Sequence, residues 1–294
     1  MALAGVDSVG RPDRASRRVK PSSTLSPIPI HAFNPGPMTG TGNWTWLIPG
    51  RVPTLIDAGT GDPRHLAALD EALAGARLAQ VLVTHAHVDH ASGVVALAER
   101  FPGAHFFKMP WAERDSRWPA PWQPIVDGQI IEAGHEQLRA VHTPGHAPDH
   151  VCFWHEQSRS LFSGDLAVKG TTVYIPPNLG GDLADYLASL ERVRALKPSR
   201  LLPGHGPVID DPETVLLGYL EHRREREEQI VAALRSGDAT PDALVPLIYR
   251  GLKDNLFQVA RETVLAHLLK LEREGRAGRR DDSWHIIYST DRLR

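Results

Sequence analysis

Four side chains that can bind a metal ion lie within six consecutive positions of the chain. His85, His87, Asp89 and His90 belong to the stretch THAHVDH, which directly follows AQVLV, an apolar run typical of a strand covered on both faces. Each of these polar groups must be hydrogen-bonded or coordinated wherever the fold closes over it. Because imidazole and carboxylate groups past the carboxyl end of a buried strand are typical of sites in α/β proteins, the stretch predicts metal chemistry.

Three further candidate ligands follow predicted strands later in the chain, beside glycines that let the backbone approach a bound ion: His146 in TPGHAPDH, Asp165 in FSGDLA and His205 in LLPGHGPV. For His150, four positions after His146, three roles stay open: packing, support of the site from behind, or contact with the substrate. The remaining histidines lack metal-type neighbours and are expected to have surface or packing roles: His31, His65, His105, His135, His142, His155, His222, His267 and His285.

The elements that must position these residues are short strands and helices separated by Gly/Pro turns. A helix is predicted in DPRHLAALDEALAGA, with Asp62 as N-cap and Pro63 at the first helical position, and another in GDLADYLASLERVRAL, capped by Asp182. ASGVVALAERF is also predicted to be helical, whereas MPWAERDSRWPAPWQP is expected to be an irregular rim or lid. Strands are predicted in PIPIHAF, NWTWLIP, RVPTLIDAG, AQVLVT, AHFFK, EQLRAVHTPG, DHVCFWHE, RSLFSGD and SRLLPGHG.

Changes in composition and in hydrophobic pattern divide the chain into four parts. Residues 1–26 are rich in Arg, Ser and Pro and are predicted to form a disordered basic tail, with an organellar transit peptide as the alternative. Residues 27–212 are predicted to form an α/β catalytic domain and residues 213–238 a connecting helix. Residues 239–294 show the pattern helix, helix, two-stranded wing, which is typical of a winged helix-turn-helix.

The composition excludes some classes of protein. A net charge of −2 argues against a chain that coats nucleic acid through its overall charge. The single cysteine, Cys152, excludes an internal disulfide and is expected to be a small buried hydrophobe. Because no run approaches transmembrane length and no secretory h-region is present, we expect no membrane partner and a cytoplasmic location.

THAHVDH resembles the H-x-H-x-D-H signature of the metallo-β-lactamase superfamily, and His146, Asp165 and His205 match its remaining ligand motifs in order. The resemblance implies an αββα sandwich of the α/β class, with His85, His87 and His146 on one metal ion. It further implies a second ion held by Asp89, His90 and His205, with Asp165 bridging the two. Two Zn²⁺ are expected, and Mn²⁺ or Fe²⁺ would suit the same ligands. Asp57 in LIDAG is expected to support the site without binding metal.

Such a centre predicts a hydrolase. Two cations about 3.5–4 Å apart activate water and polarise the scissile bond. Asp89 is the candidate catalytic residue that orients the nucleophile and passes a proton. The seven-ligand set argues against a pure nucleic-acid-binding regulator, because a binding module does not need an open metal site.

The substrate stays open between two classes. GTTVYIPPNLGGDLADYLASLERV, YLEHRREREEQI and VLAHLLKLEREGRAG resemble the β-lactamase-like protein 2 family, which adds a winged helix to the catalytic domain. This resemblance implies first an endoribonuclease on single-stranded RNA, and alternatively a thioesterase or esterase on acyl carrier protein, glutathione or coenzyme A conjugates. The partner is therefore RNA or a small molecule, and a homodimer is possible. Between Arg250 and Arg280 the chain has four acids (254, 262, 272, 274) and eight Lys/Arg (250, 253, 261, 270, 273, 276, 279, 280), and these basic residues either contact phosphates or only accompany packing on the catalytic domain.

Overall fold

Strands of the catalytic region form two sheets. The computed structural model describes residues 25–288, so residues 1–24 of the predicted tail lie outside it. One six-stranded sheet has the order β1 Ile28–His31, β2 Trp44–Ile48, β3 Thr54–Ile56, β4 Gln80–Val83, β5 His105–Lys108 and β6 Trp122–Pro124. The pairs β1–β2 and β2–β3 are antiparallel, and the pairs from β3 to β6 are parallel.

The second sheet has five strands in the order β11-β10-β9-β8-β7. Its strands are β7 Ile130–Ala133, β8 Glu136–His142, β9 Val151–His155, β10 Ser160–Gly164 and β11 Arg200–Pro203. All neighbours are antiparallel except β10 and β11, which are parallel. The β10–β11 pair therefore brings two carboxyl ends to the same edge.

The helices are α1 Pro63–Leu73, α2 Val88–Ala91, α3 Val94–Arg100, α4 Ala112–Asp115, α5 Leu183–Leu196, α6 Pro212–Arg235, α7 Pro241–Ile248 and α8 Phe257–Arg273. Asp62 and Asp182 accept hydrogen bonds from the first turns of α1 and α5, as predicted. A hairpin of β12 Ala277–Arg280 and β13 Ser283–Ile286 follows α8. None of the helices within residues 25–288 is long and apolar enough to cross a membrane.

Three apolar clusters hold the two sheets and the outer helices together as layers. The inner faces of the two sheets meet through residues such as Leu82 and Phe162, both fully buried. Leu69 of α1 and Leu97 of α3 cover the outer face of the six-stranded sheet. Side chains of α5 and α6, with Tyr186 at their centre, cover the outer face of the other sheet. The order helix, sheet, sheet, helix is the predicted αββα sandwich.

A fourth apolar cluster lies at the carboxyl end, where α7, α8 and the hairpin pack around residues such as Val264 and Trp284. Ile230 and Leu234 from the last turns of α6 belong to the same cluster. Because α6 is unbroken and packs on both modules, the domain boundaries at 212 and 238 stay predictions.

The structure differs from the sequence-based expectation in three segments. The Trp-rich stretch, expected to be irregular, contains α4 and the edge strand β6. Strand β7 was not predicted, because half of its residues are exposed on an edge of the sheet. Leu25, assigned to the tail, is buried, and its carbonyl accepts a hydrogen bond from Arg200 at 3.0 Å.

Candidate metal centre

The seven candidate ligands follow strand ends at one edge of the sandwich. His85 and His87 lie in the loop after β4, and the one-turn helix α2 carries Asp89 and His90. The other three lie after β8, β10 and β11: His146, Asp165 and His205. Since both sheets end their site-bearing strands at this edge, residues separated by up to 120 positions meet there.

Three imidazoles converge on the first side of the site. Nδ1 of His87 lies 3.0 Å from Nε2 of His85 and 2.9 Å from Nε2 of His146. Ligand nitrogens of a tetrahedral zinc ion, each about 2.0–2.1 Å from the metal, are themselves about 3.3 Å apart. This trio therefore has the spacing of a metal-binding group.

A second trio lies beside the first. Oδ2 of Asp89 is 3.1 Å from Nε2 of His205 and 3.4 Å from Nε2 of His90. These three groups also place one ligand atom each within reach of a common ion. Nε2 of His90 is buried and has no hydrogen-bond partner among the described residues, as expected for an atom that faces a cation.

Asp165 lies between the two trios and offers one oxygen to each. Its Oδ2 is 3.5 Å from Nε2 of His146. Its Oδ1 is 3.2 Å from Nε2 of His90 and 3.4 Å from Nε2 of His205, and it too is buried without a hydrogen-bond partner in the described part of the chain. This arrangement suits a carboxylate that bridges two divalent ions, so the residues present fit a two-metal centre.

Hydrogen bonds on the far side of the rings set their orientation. Nδ1 of His90 lies 2.7 Å from Oδ2 of Asp57, and Nδ1 of His146 lies 2.8 Å from the carbonyl of Tyr174. Oγ1 of Thr84, 3.0 Å from Nδ1 of His85, also donates to Asp57. These contacts turn each Nε2 toward the centre. Asp57 thus supports the site from behind, where the sequence predicted it.

Burial and charge divide the histidines into two groups. Burial lowers the pKa of His87 to about 3 and that of His85 well below its usual value, so both rings are neutral and can offer a lone pair. Although burial opposes the charged form of His205, Asp165 and Asp89 raise its pKa to about 9. The pKa of His90 is likewise raised against burial by Asp165 and Asp89. The carboxylates thus attract positive charge to the second side of the site.

Two further residues contact the ligands without belonging to either trio. His150 is buried, and its Nε2 accepts a hydrogen bond from the amide of Asp165 at 3.1 Å, so it supports the site from behind. Asn43 is also buried, and its Nδ2 donates to the carbonyl of Asp89 at 2.7 Å. The sequence pointed to His150 by its spacing from His146, but it carried no signal for the contact between Asn43 and Asp89.

Exposed apolar side chains stand on three segments that border the ligands. Val88, 58% exposed, lies between two of them in the sequence. Met38, 63% exposed, is on the loop that ends at Asn43, which pairs with the backbone of His205. Leu179, 39% exposed, is in a helical turn before Asp182, whose amide donates to the carbonyl of Gly145 at 2.8 Å. We call Met38, Val88 and Leu179 the apolar rim.

The Trp-rich stretch contacts the loop that carries the candidate ligands. The indole of Trp118 donates to the carbonyl of Ala86, inside the ligand motif, at 3.3 Å. Lys108, at the end of β5, is buried and lies 2.9 Å from Asp149 and 2.7 Å from Asp115. This buried cluster joins the Trp-rich stretch to the loop that carries His146.

The winged-helix module packs on the catalytic region through α8, which contacts α5 and the helical turn at 177–179. Ala266 of α8 belongs to the apolar cluster around Tyr186, and Arg273 makes ion pairs of 3.2 and 3.0 Å with Asp182 and Asp185. Most basic residues of the module lie within 4.0 Å of a carboxylate: Arg261, Lys270, Arg273, Arg276, Arg279 and Arg280. Packing and internal ion pairs therefore account for much of the basic excess seen in the sequence.

Two family models match the chain. The model of the metallo-beta-lactamase superfamily matches residues 38–205, and that of the beta-lactamase associated winged helix domain matches residues 240–284. These matches confirm the predicted fold class.

Similar proteins cover most of the chain. A Drosophila melanogaster protein named beta-lactamase-like protein 2 homolog is 33% identical over 291 residues, which are 92% of this chain and 97% of the fly protein. An Aspergillus fumigatus protein named atrochrysone carboxyl ACP thioesterase is 32% identical over 237 residues, 78% of this chain and 72% of that protein.

Two solved structures are also similar. A beta-lactamase domain protein from Burkholderia ambifaria aligns with a TM-score of 0.76 and 22% identity, covering 89% of this chain and 91% of that one, and shows the fold. The protein TTHA1623, solved in a di-iron-bound form, aligns with a TM-score of 0.52 and 31% identity over 67% of this chain and 97% of its own.

Proposed function

Because the chain belongs to the metallo-beta-lactamase superfamily, we propose that it is a two-metal hydrolase that cleaves thioesters with an apolar acyl group. The observation that carries the metal-centre proposal is the position of Asp165, whose two oxygens face two separate trios of ligands. The metal ligands in this proposal are His85, His87, Asp89, His90, His146, Asp165 and His205.

Bound divalent ions would supply a Lewis acid and an activated water molecule. Zn²⁺ fits the imidazole-rich first trio, and Fe²⁺ or Mn²⁺ fits the same ligands. The di-iron form of TTHA1623 makes iron the main competitor. Metal analysis of protein purified without added metal identifies the ion, and two equivalents per chain are expected. A protein that binds no divalent ion would overturn the proposal.

Asp89 is the proposed proton-handling residue of the chain. Its side chain is 20% exposed, whereas the side chain of His90 is fully buried. Although burial opposes its charged form, His90 and hydrogen bonds from His205 hold the pKa of Asp89 well below its usual value. The carboxylate is therefore ionised at neutral pH, where it can accept a hydrogen bond from water and orient it.

Two observations favour a thioester over RNA as the substrate. The apolar rim puts exposed hydrophobic side chains on three segments that adjoin the candidate ligands in the sequence or through backbone hydrogen bonds, which suits an acyl chain better than a phosphodiester backbone. The module that would hold RNA has most of its cations in ion pairs, some of them with the connecting helix and the catalytic region, and α8 packs on the catalytic region. The similar Aspergillus fumigatus protein, whose name specifies a thioesterase, supports the same choice.

One assay panel tests both levels of the proposal. The zinc-loaded protein is incubated with acyl-coenzyme A, acyl carrier protein thioesters, S-acylglutathione and single-stranded RNA, beside an Asp89→Ala control. We expect metal-dependent thioester cleavage that the control lacks. RNA cleavage without thioester cleavage would overturn the proposed substrate class but not the proposal that the protein is a hydrolase. Metal binding without cleavage of any of the four substrates would overturn the thioester proposal. Cytoplasmic location and a homodimer stay predictions.

A further inference from the structure

Two side chains of α6 hold the segment that leads from Asp165 to Tyr174. The hydroxyl of Tyr219 donates to the carbonyl of Val168 at 2.9 Å and accepts from its amide at 3.0 Å. Arg223 donates to Oγ1 of Thr172 at 3.1 Å and to the carbonyl of Val173. Because these two residues are four positions apart on a helix, they lie on the same face.

Both ends of this segment belong to the metal centre. Asp165 at its start faces both ligand trios, and the carbonyl of Tyr174 at its end holds Nδ1 of His146. From α5, Tyr186 donates to the carbonyl of Leu166 at 2.7 Å, which holds the segment at one more point. A shift of the segment would therefore move the bridging carboxylate and release the ring of His146.

The burial of Arg223 indicates a specific task for it. The residue is only 3% exposed, and among residues 25–288 its charge is balanced by no carboxylate at ion-pair distance. Its guanidinium lies 5.8 Å from the ring centre of Tyr186 and otherwise donates to the segment. Burying an unpaired cation is costly, so a side chain of this kind is kept where its hydrogen bonds hold something in place.

We propose that Tyr219 and Arg223 are positioning residues of the metal centre, which fix the segment 166–174 and through it Asp165 and His146. This inference rests on the proposed function. It assigns α6, which lies outside both family matches, a role in metal binding as well as in joining two modules.

The test compares Arg223→Met and Arg223→Lys with Arg224→Met as the matched control. Arg224 is the next residue on α6, is exposed, and pairs with Glu228 at 2.6 Å on the solvent side. Zinc affinity is measured by competition with a chromogenic chelator, and kcat and KM are measured on the cleaved substrate. Circular dichroism and the thermal midpoint of the metal-free protein report folding.

We expect Arg223→Met to weaken zinc binding by up to about tenfold, the lower end of the effect of removing a direct partner of a ligand, because Arg223 acts through the segment that carries the Tyr174 carbonyl. We expect kcat to fall with little change in KM, Arg223→Lys to recover part of the loss, and Arg224→Met to match the parent. A folded Arg223→Met protein with parental zinc affinity and kcat would overturn the inference.

If Arg223→Met does not fold, Tyr219→Phe provides the same test with a smaller change. It removes the hydroxyl, which donates to and accepts from the backbone of Val168, and keeps the ring, so zinc affinity should fall by about fivefold or more, the equivalent of one to two hydrogen bonds. Parental affinity in Tyr219→Phe would then refute the inference. The proposed function fails separately, when the parent chain itself binds no metal.

Discussion

Asp57→Asn should weaken metal binding at the site formed by Asp89, His90 and His205 while leaving the fold intact. Oδ2 of Asp57 lies 2.7 Å from Nδ1 of His90, and Oδ1 accepts from the amide and hydroxyl of Thr84 at 2.7 and 2.9 Å. Asp57 has a φ of 63°, in the left-handed region that asparagine also tolerates. The substitution therefore changes the hydrogen bonding without straining the backbone.

The magnitude follows from the donors around the carboxylate. When Nε2 of His90 binds a metal ion, its Nδ1 carries a proton and must donate, and two more donors come from Thr84. An asparagine has a single oxygen for these three donors, and its NH₂ must face one of them. Losing a charge-assisted hydrogen bond costs about 1.5–3 kcal/mol, which corresponds to a 10- to 100-fold loss of metal affinity.

Stepwise zinc titration against a chelator resolves the two ions. We expect at least one step of Asp57→Asn to shift by this factor, with the larger effect on the site that contains His90, and kcat to fall with occupancy. Excess zinc should restore part of the activity. If Asp57→Asn bound each of the two ions with the same affinity as the parent does, the role assigned to Asp57 would be refuted. Asp70→Asn, on α1, where Asp70 is half-buried and pairs with Arg100 rather than with a candidate ligand, is the control.

Three further outcomes are expected. Val88→Lys should raise KM for long-chain acyl thioesters several-fold with metal content unchanged, because a charge replaces part of the apolar rim; equal KM values would exclude the rim from substrate binding. Lys108→Met should lower the free energy of unfolding in urea by about 3–5 kcal/mol, since Asp149 would stay buried without its cation, and adding Asp149→Asn should recover part of it. Burial raises the pKa of the Cys152 thiol to about 12, so a thiol reagent at pH 8 should label only unfolded protein, and rapid labelling of the folded chain would contradict this burial.

Much of the candidate metal centre was predictable because its candidate ligands are unusual residues in unusual places. Three histidines and an aspartate after an apolar strand have few structural explanations, and the later ligands each follow a strand beside a glycine. The helix caps and the outline of the layers were also readable, since capping and hydrophobic periodicity are local properties of the chain. Edge strands β6 and β7 were missed because exposed residues interrupt their pattern.

The sequence alone determined the residue types at the site and the class of chemistry they can perform. Only the tertiary structure decided which groups support them, because those partners are distant in the chain: Asn43 and Asp89 are 46 positions apart, and Arg223 and Thr172 are 51 apart. The tertiary structure also showed that most of the basic residues of the winged helix are in ion pairs, which the sequence does not reveal. A count of charges cannot show that Arg273 is paired with Asp182 from another module, since pairing depends on how the modules pack.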